Sequence, residues 1–453
     1  MKLLRMVSGG EIPMTRQLIT LSLFLILANV TFAREYNLQS ILELAEKNNK
    51  DIKLAHSNLD YANAVKKEAI SQALPRINAQ LLYNRNLIKN QFFFTVPGKQ
   101  GQDSTVSFTV GFDNAYQMSA TLNQTLFGFG KIGNAIQAAN YFKHYSELQY
   151  SSDFQKIINV VKKAFYQALL LQKVWEVAVQ SENSAKDNYE NIKLKFESGI
   201  VSEFDLLQAE TRWQNSIPLT TQARKNYEVA VNNLKALTDI PLREEINLIG
   251  GLETFPPLPD SMNYDLAFEQ RPDYRALLWE RRLQEKRVAV EKSNYYPTLF
   301  GNVTYLYQAN SNRFQLDNKN ENFFVGLSLN VPIFTGFYTK AQVQKAQIDV
   351  NRVKTRISKA NDNIRIELQN INLRLREARQ RIEAAEKNIQ TARRAYDIAE
   401  TRVDNGLATQ LEFRESRIDL DRAQVNFYIA IYDYLEAYFD WQLANGKVNI
   451  SGI

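Results

Sequence analysis

The sequence predicts a mainly helical protein with membrane β-strands, assembled from one unit that the chain writes twice. Three observations carry this reading. Residues 337–405 and 134–198 contain no glycine or proline and carry apolar residues at alternating steps of three and four. A pair of alternating strand patterns precedes each of these stretches. Landmark residues recur at constant offsets: Ala45, Asp51 and Pro75 return as Ala267, Asp273 and Pro297, each 222 positions on, and Phe127 and Gly199 return as Phe334 and Gly406, each 207 on. The difference, 222 − 207 = 15 residues, is a loss from one loop of the second copy.

At the N-terminus, Arg16 precedes an apolar run from Leu18 to Val30 that ends in Thr31-Phe32-Ala33 before the charged pair Arg34-Glu35. This is the pattern of a cleaved secretory signal peptide. An N-terminal anchor is the alternative, but the run is short for a span. Met14 offers a second start beside Met1. Beyond residue 33 no run of 18 apolar residues occurs, so the exported chain has no predicted transmembrane helix.

Each copy then reads as helix, two strands, very long helix, turn, helix. The first repeat is placed at 34–239, with a β-hairpin at 76–127 and a tip at 198–201. The second is placed at 263–446, with a β-hairpin at 297–334 and a tip at 405–408, before a tail at 447–453. Pro241, Gly250-Gly251, Pro256-Pro257 and Pro259 mark the linker at 240–262.

In the strands, Ile77, Ala79, Leu81 and Tyr83 alternate with Asn78, Gln80 and Leu82, and Tyr116, Met118, Ala120 and Leu122 with Gln117, Ser119 and Thr121. The second copy offers Leu299, Gly301, Val303, Tyr305 and Tyr307 on one strand and Phe323, Val325, Leu327 and Leu329 on the other. Runs of about ten residues suit tilted strands in a bilayer. Aromatic residues at Phe92-Phe93-Phe94, Tyr295-Tyr296, Tyr305, Tyr307 and Phe323-Phe324 are expected near strand ends, as an interfacial girdle. A soluble sheet with one packed face would alternate likewise. Four strands cannot close a barrel and lipid does not tolerate an open edge, so the membrane reading requires several chains to pool strands.

The long helices carry coiled-coil seams. The second runs through Val343, Ala346, Val350, Val353, Ile357, Ala360, Ile364, Leu368, Ile371, Leu375, Ala378, Ile382, Ala385, Ile389, Ala392, Tyr396, Ala399 and Val403. The first runs through Ala164, Ala168, Leu171, Trp175, Ala178, Ala185, Tyr189, Ile192 and Phe196, with Glu182 as its polar interruption. They end at Ser198-Gly199-Ile200 and Asn405-Gly406-Leu407, each glycine suited to a left-handed cap. Ser202 with Asp205 and Thr409 with Glu412 have capping-box spacing, so each tip is a tight helix reversal.

With these features the chain resembles the TolC family of outer-membrane efflux proteins over nearly all of its length. Similarity rests on the duplication, on the strand pair ahead of each long helix, and on Phe-Glu-Ser-Gly-Ile-Val-Ser-Glu-Phe-Asp-Leu-Leu from Phe196 and Val-Asp-Asn-Gly-Leu-Ala-Thr-Gln-Leu-Glu-Phe from Val403. The resemblance implies a homotrimer whose 12-stranded β-barrel in the outer membrane continues into a long α-helical coiled-coil barrel across the periplasm of a Gram-negative cell. It also implies that the tips meet a periplasmic adaptor, or membrane fusion protein, and an inner-membrane pump. The family's periplasmic gate uses acids beyond the second tip; the matching positions are Glu412 and Glu415, with Asp205 at the equivalent place after Gly199. Read functionally, they form an acidic ring at a narrow entrance. Read structurally, they are first-turn acids that complement the helix dipole. Two of the three are Glu where the family often has Asp.

Composition narrows the function. With 45% hydrophobic and 23% charged residues the 453-residue chain can bury cores, and its net charge of +6 is spread along helix faces, so no nucleic-acid partner is expected. The chain has no cysteine, which excludes disulfides, thiolate metal sites, a cysteine nucleophile and a lipidated N-terminal cysteine. His56 and His144, the only histidines, lie far apart on helical stretches, and no Gly-rich phosphate loop occurs, so neither enzyme activity nor a cofactor or metal is expected. The reading is a passive exit duct for efflux or secretion. A periplasmic coiled-coil adaptor is the alternative, against which the end-to-end duplication speaks. Drug, metal, protein and siderophore export stay open; Met118 and Met262, the only methionines beyond residue 33, disfavour a methionine-lined copper path.

Overall fold

The computed structural model of the chain describes residues 34–97, 103–259 and 264–448. The signal-peptide reading at 1–33 lies outside them. A short strand β1 (Arg34–Tyr36) leads into α1 (Leu38–Asn48) and α2 (Lys50–Ser71), then β2 (Arg76–Arg85), β3 (Asn90–Val96), β4 (Ser104–Val110) and β5 (Asn114–Phe127). Helices α3 (Lys131–Glu197) and α4 (Glu203–Thr238) follow. After β6 (Ile246–Leu248) come α5 (Tyr264–Gln270), α6 (Pro272–Ser293), β7 (Thr298–Ser311), β8 (Lys319–Asn330), α7 (Tyr338–Asp404) and α8 (Gln410–Ala444). Both α3 and α7 have 67 residues and start 207 positions apart; at 1.5 Å per residue each is about 100 Å long.

The expected single helix ahead of the strands is two helices in each copy. Asn49 interrupts the first: its carboxamide oxygen accepts from the backbone N–H of Asp51 (2.8 Å) and Ile52 (3.1 Å), which stops α1 and caps α2. Pro272 at the first position of α6 has the same effect in the second copy. The expected two-strand hairpin at 76–127 is also richer. It carries the extra ribbon β3–β4 between β2 and β5, whereas the second copy crosses the same gap by the loop between β7 and β8.

The sheet order is β2-β5-β7-β8, antiparallel throughout. Its register puts Ile77 opposite Leu122, Leu122 opposite Val303 and Val303 opposite Val325. Directly opposed residues share a face, so the alternating apolar residues of all four strands lie on one side. The other side carries Gln80, Ser119, Thr121, Asn302, Thr304 and Ser328 in the same ladders. The apolar side stays uncovered: Leu81 is 79% exposed and Leu327 73%. Aromatic residues gather at both sheet ends, as Phe127, Phe129 and Tyr296 where strands meet helices and as Tyr83, Tyr116 and Phe314 at the far end. Two expected girdle positions differ. Phe92-Phe93-Phe94 lie on β3, where Phe94 stacks on Phe108 of β4 at 5.0 Å, and Tyr305 opposite Phe323 lies inside the sheet.

Strand-to-helix turns recur at the 207 offset. Phe129-Gly130 and Gly336-Phe337 are paired left-handed residues, with the glycine first in one turn and second in the other. Each turn therefore holds one phenylalanine at positive φ, a strain of about 1–2 kcal/mol.

The α7 seam is buried or half-buried at all of its expected positions, and Trp175 and Tyr189 of the α3 seam stack on Tyr227 and Trp213 of α4. Contacts place the helices in the order of the strands: α2 and α4 flank α3, α6 and α8 lie between α3 and α7. The shorter helices meet end to end. Asn49 Nδ2 donates to Leu237 O at the end of α4 (2.8 Å), and Arg271 Nη1 donates to Ala444 O at the end of α8 (3.3 Å). Residues 49 and 271 differ by 222 and residues 237 and 444 by 207, so one latch is made twice, with an amide and then with a guanidinium. Arg271 also pairs with Asp273 (2.9 Å) and Glu367 (2.6 Å).

The main core surrounds these junctions, with Ile41, Leu42, Ile158, Phe165, Leu234, Leu252, Leu368 and Tyr434 fully buried. Lys162 is buried within it at 0% exposure; its ammonium donates to Gln442 Oε1 at 3.3 Å and stands 5.5 Å from the Phe439 ring. Burial lowers its pKa from 10.5 to about 8. The unfolded chain then holds a proton that the folded chain has released between those values, so folded stability rises with pH across that window. Lys162→Met should raise stability at pH 7 by about 1–3 kcal/mol, and the gain should shrink as pH climbs from 8 towards 10.5, as read from helical melting curves at both ends of the window. A gain independent of pH would show that the ammonium is not the source.

Candidate functional site

The two reversals are built alike from the backbone outward. At the first, Gly199 adopts φ +75°, its N–H donates to Phe196 O (2.9 Å) and that of Ile200 to Lys195 O (2.8 Å). At the second, Gly406 adopts φ +70°, its N–H donates to Val403 O (3.0 Å) and that of Leu407 to Arg402 O (2.8 Å). These are paired Schellman closures, which consume the last free carbonyls of each long helix and turn the chain at once. Side chains finish the job: Ser198 Oγ donates to Leu194 O, Asn405 Nδ2 to Thr401 O, and Arg402 Nη2 to Leu407 O. A Cβ added at either glycine meets nothing within 4 Å, so glycine is required by conformation and not by space. The turns leave apolar residues in solvent, with Ile200 72% and Leu407 70% exposed beside Phe204, Leu207 and Leu411.

Both capping boxes form. Ser202 N donates to Asp205 Oδ2 while Asp205 N donates to Ser202 Oγ, both at 3.3 Å. Thr409 N donates to Glu412 Oε2 (3.3 Å) and Glu412 N to Thr409 Oγ1 (3.2 Å). Glu415 instead pairs with its neighbour Arg414 at 3.0 Å. Asp205 and Glu415 border adjoining cavities of one groove that α3 floors between α4 and α8; Glu412 lines neither cavity.

That groove holds charges that sequence reading passed over. Arg417 is 4% exposed, its Nε 2.9 Å from Asp421 Oδ1, its guanidinium 5.4 Å above the Tyr396 ring. Asp421 Oδ2 accepts from Ser181 Oγ of α3 at 2.7 Å, tying one hairpin to the other. Burial raises the Asp421 pKa, against the opposing pull of Ser181 and Arg417. Arg212 of α4 lies half-buried nearby, its pKa lowered by burial and by Arg414 and Arg417. The signal was present in the pattern: Phe413, Leu420, Ala423, Phe427 and Ala430 define the α8 seam, and Arg417 falls on it. Elsewhere His56 pairs with Asp60 and His144 with Glu147, both in solvent, and among the described residues no three His, Asp or Glu converge as a metal site.

Comparison with known proteins adds a family. Its profile, described as outer membrane efflux protein, matches residues 41–238 and 263–446. The alkaline protease secretion protein AprF of Pseudomonas aeruginosa is 23% identical over 240 residues, 51% of this chain and 49% of that protein. The chain thus spans about half the length of that relative. The outer membrane protein TolC of Vibrio cholerae is 21% identical over 423 residues, 91% of each. Among solved structures, the CmeC outer membrane channel of Campylobacter jejuni has a TM-score of 0.76 at 22% identity, covering 92% of this chain and 87% of that one, which shows a shared fold.

Gly199→Val or Gly406→Val places a branched residue in the left-handed region, at about 1–2 kcal/mol each, with the strain confined to a tip. Either variant should impair export more than it impairs assembly, checked by accumulation of an exported compound beside quantified assembled protein. Normal export by both would remove the tips from the working surface.

Proposed function

This chain belongs to the outer membrane efflux protein family, and on that premise we propose that it is the passive exit duct of a tripartite efflux or type I secretion system. The observation that carries this is the four-stranded sheet with one uncovered apolar face and two open edges, β2 and β8, whose strands run into helices in the same lateral order. Lipid leaves no backbone donor or acceptor unpaired, so β8 of one copy must pair with β2 of the next. Three copies give twelve strands, within the range of closed outer-membrane barrels. The same operation sets α7 of one copy beside the α2–α4 column of the next. Exposed apolar residues on these elements support it: Ile366, Leu373 and Ile398 on α7, and Leu54, Leu219 and Val229 on α2 and α4.

In this reading the chain is two repeats joined by the linker at 240–262, and four helical columns per copy make a twelve-column tunnel. The polar sheet face lines the upper lumen. The tips carrying Ser198, Gly199, Ile200, Asn405, Gly406 and Leu407 meet a periplasmic adaptor and an inner-membrane pump, which supply the energy. Asp205, Glu412 and Glu415 stand at the periplasmic entrance, where three-fold symmetry brings three copies of each carboxylate about one axis and favours cations. That one relative is named for protease secretion and that a related structure is an outer membrane channel supports the class of activity.

The exported protein should float with outer membranes, resist salt extraction and sediment as a trimer; recovery as a soluble monomer would refute the duct. In planar bilayers, Glu412→Gln combined with Glu415→Gln should lower cation preference and weaken block by divalent cations, while Glu377→Gln on α7, away from the tips, should change neither. Unchanged reversal potentials in asymmetric salt, with the trimer intact, would leave these acids as helix caps alone.

A further inference from the structure

The groove between the hairpins contains more guanidinium than it satisfies. Its inner cavity, about 50 Å³, is enclosed by Ser184, Asn188, Asp205, Arg212, Arg414 and Arg417 among others, with the first turns of both α4 and α8 in its wall. The carboxylates nearby have other contacts: Asp205 accepts from Ser202, Glu415 pairs with Arg414, and Asp421 accepts from Ser181 through Oδ2, while its Oδ1 makes no hydrogen bond although it stands 2.9 Å from Arg417 Nε. Arg417 Nη2 and Arg414 Nε are buried without a hydrogen-bond acceptor among the described residues, and Arg417 Nε is close to Asp421 without hydrogen-bond alignment. Arg212 makes no ion pair within 4 Å among the described residues, and the carboxylates of Asp421 and Glu415 act on it from farther off. A buried, partly unpartnered guanidinium destabilises the fold unless something accepts its protons.

We propose that this cavity binds a small free monovalent anion, of halide or formate size, held by Arg417 Nη2 and by the guanidiniums of Arg212 and Arg414. Its room exceeds what one water needs and excludes a bulky organic anion. Two helix N-termini add positive potential from the backbone. An anion there bridges α4 of the first hairpin to α8 of the second, so it strengthens the contact that Ser181 and Asp421 make between the hairpins. The site lies within one chain, beside the first turns of α4 and α8, so the melting of the protein reads it without a measurement of export.

Melting of the full-length protein in detergent tests this, with sodium gluconate replaced by sodium chloride at constant ionic strength. Chloride should raise the melting temperature saturably by roughly 1–2 °C, and Arg417→Gln and Arg212→Gln should each abolish the rise, whereas Arg376→Gln on the exposed face of α7 should keep it. Should Arg417→Gln fail to assemble, Arg212→Gln carries the comparison. Bromide in place of chloride should give an anomalous scattering peak within hydrogen-bond reach of Arg417 Nη2. Equal melting in chloride and gluconate, no bromide peak in the cavity, or a peak that survives Arg212→Gln at full height would each overturn the site.

Discussion

The rest of the structure depends on one constraint: every strand of the sheet must hand its lateral position to one helical column. β2 follows α2, β5 leads into α3, β7 follows α6 and β8 leads into α7, so sheet order and helix order are the same. A strand row is spaced by backbone hydrogen bonds at about 4.8 Å, whereas packed helices stand about 8–10 Å apart. The turns between the two layers absorb that mismatch. It is there that the chain accepts two consecutive left-handed residues in each copy, one a phenylalanine, and there that Phe127, Phe129 and Tyr296 pack together. Backbone strain is thus concentrated at the seam between two incompatible spacings.

The latches at Asn49 and Arg271 answer a second problem of the same design. A continuous column built from two helices must join a C-terminus full of carbonyls to an N-terminus full of amides, and neither end is solvated freely inside a packed region. Asn49 meets both needs with one carboxamide, accepting from the start of α2 and donating to the end of α4. Arg271 can only donate, so the second junction recruits Asp273 and Glu367 to balance its charge and to serve Tyr274 N. Duplicated geometry has survived a complete change of side-chain chemistry, because what is conserved between the copies is the carbonyl that needs a donor.

At the tips the balance shifts from packing to local closure. The seams thin out there and the second core cluster is reduced to Ala392, Tyr396, Leu420 and Ala423, so the reversals are held by their own hydrogen bonds. Near the tips the hairpins are tied by a polar contact, Ser181 to Asp421, where the contacts in the middle of the molecule are apolar. Polar contacts can be exchanged for water or ions at small net cost, while an apolar interface cannot. The hairpins are therefore joined firmly around the main core and adjustably near the tips.

Much of this was legible in the sequence because it is periodic or local. The α7 seam from Val343 to Val403, the left-handed caps at Gly199 and Gly406, both capping boxes and the single apolar face of four strands depend on spacing along the chain, and each is found where spacing puts it. The ribbon β3–β4 and the break at Asn49 went unread because short strands leave little alternation, and because a cap that also reaches Leu237 O serves a partner 188 residues away. Arg417 sits on an apolar seam, which periodicity could flag but not explain: Asp421 stands one helical turn on from it, and only the tertiary structure brings Ser181 and Arg212 to the pair, from α3 and α4. Sequence by itself determined which faces are apolar and where the chain turns, since these follow from the repeat of helix and strand. The tertiary structure alone decided which polar groups share a site, since their meeting depends on the packing of α3, α4 and α8 and on nothing local to any of them.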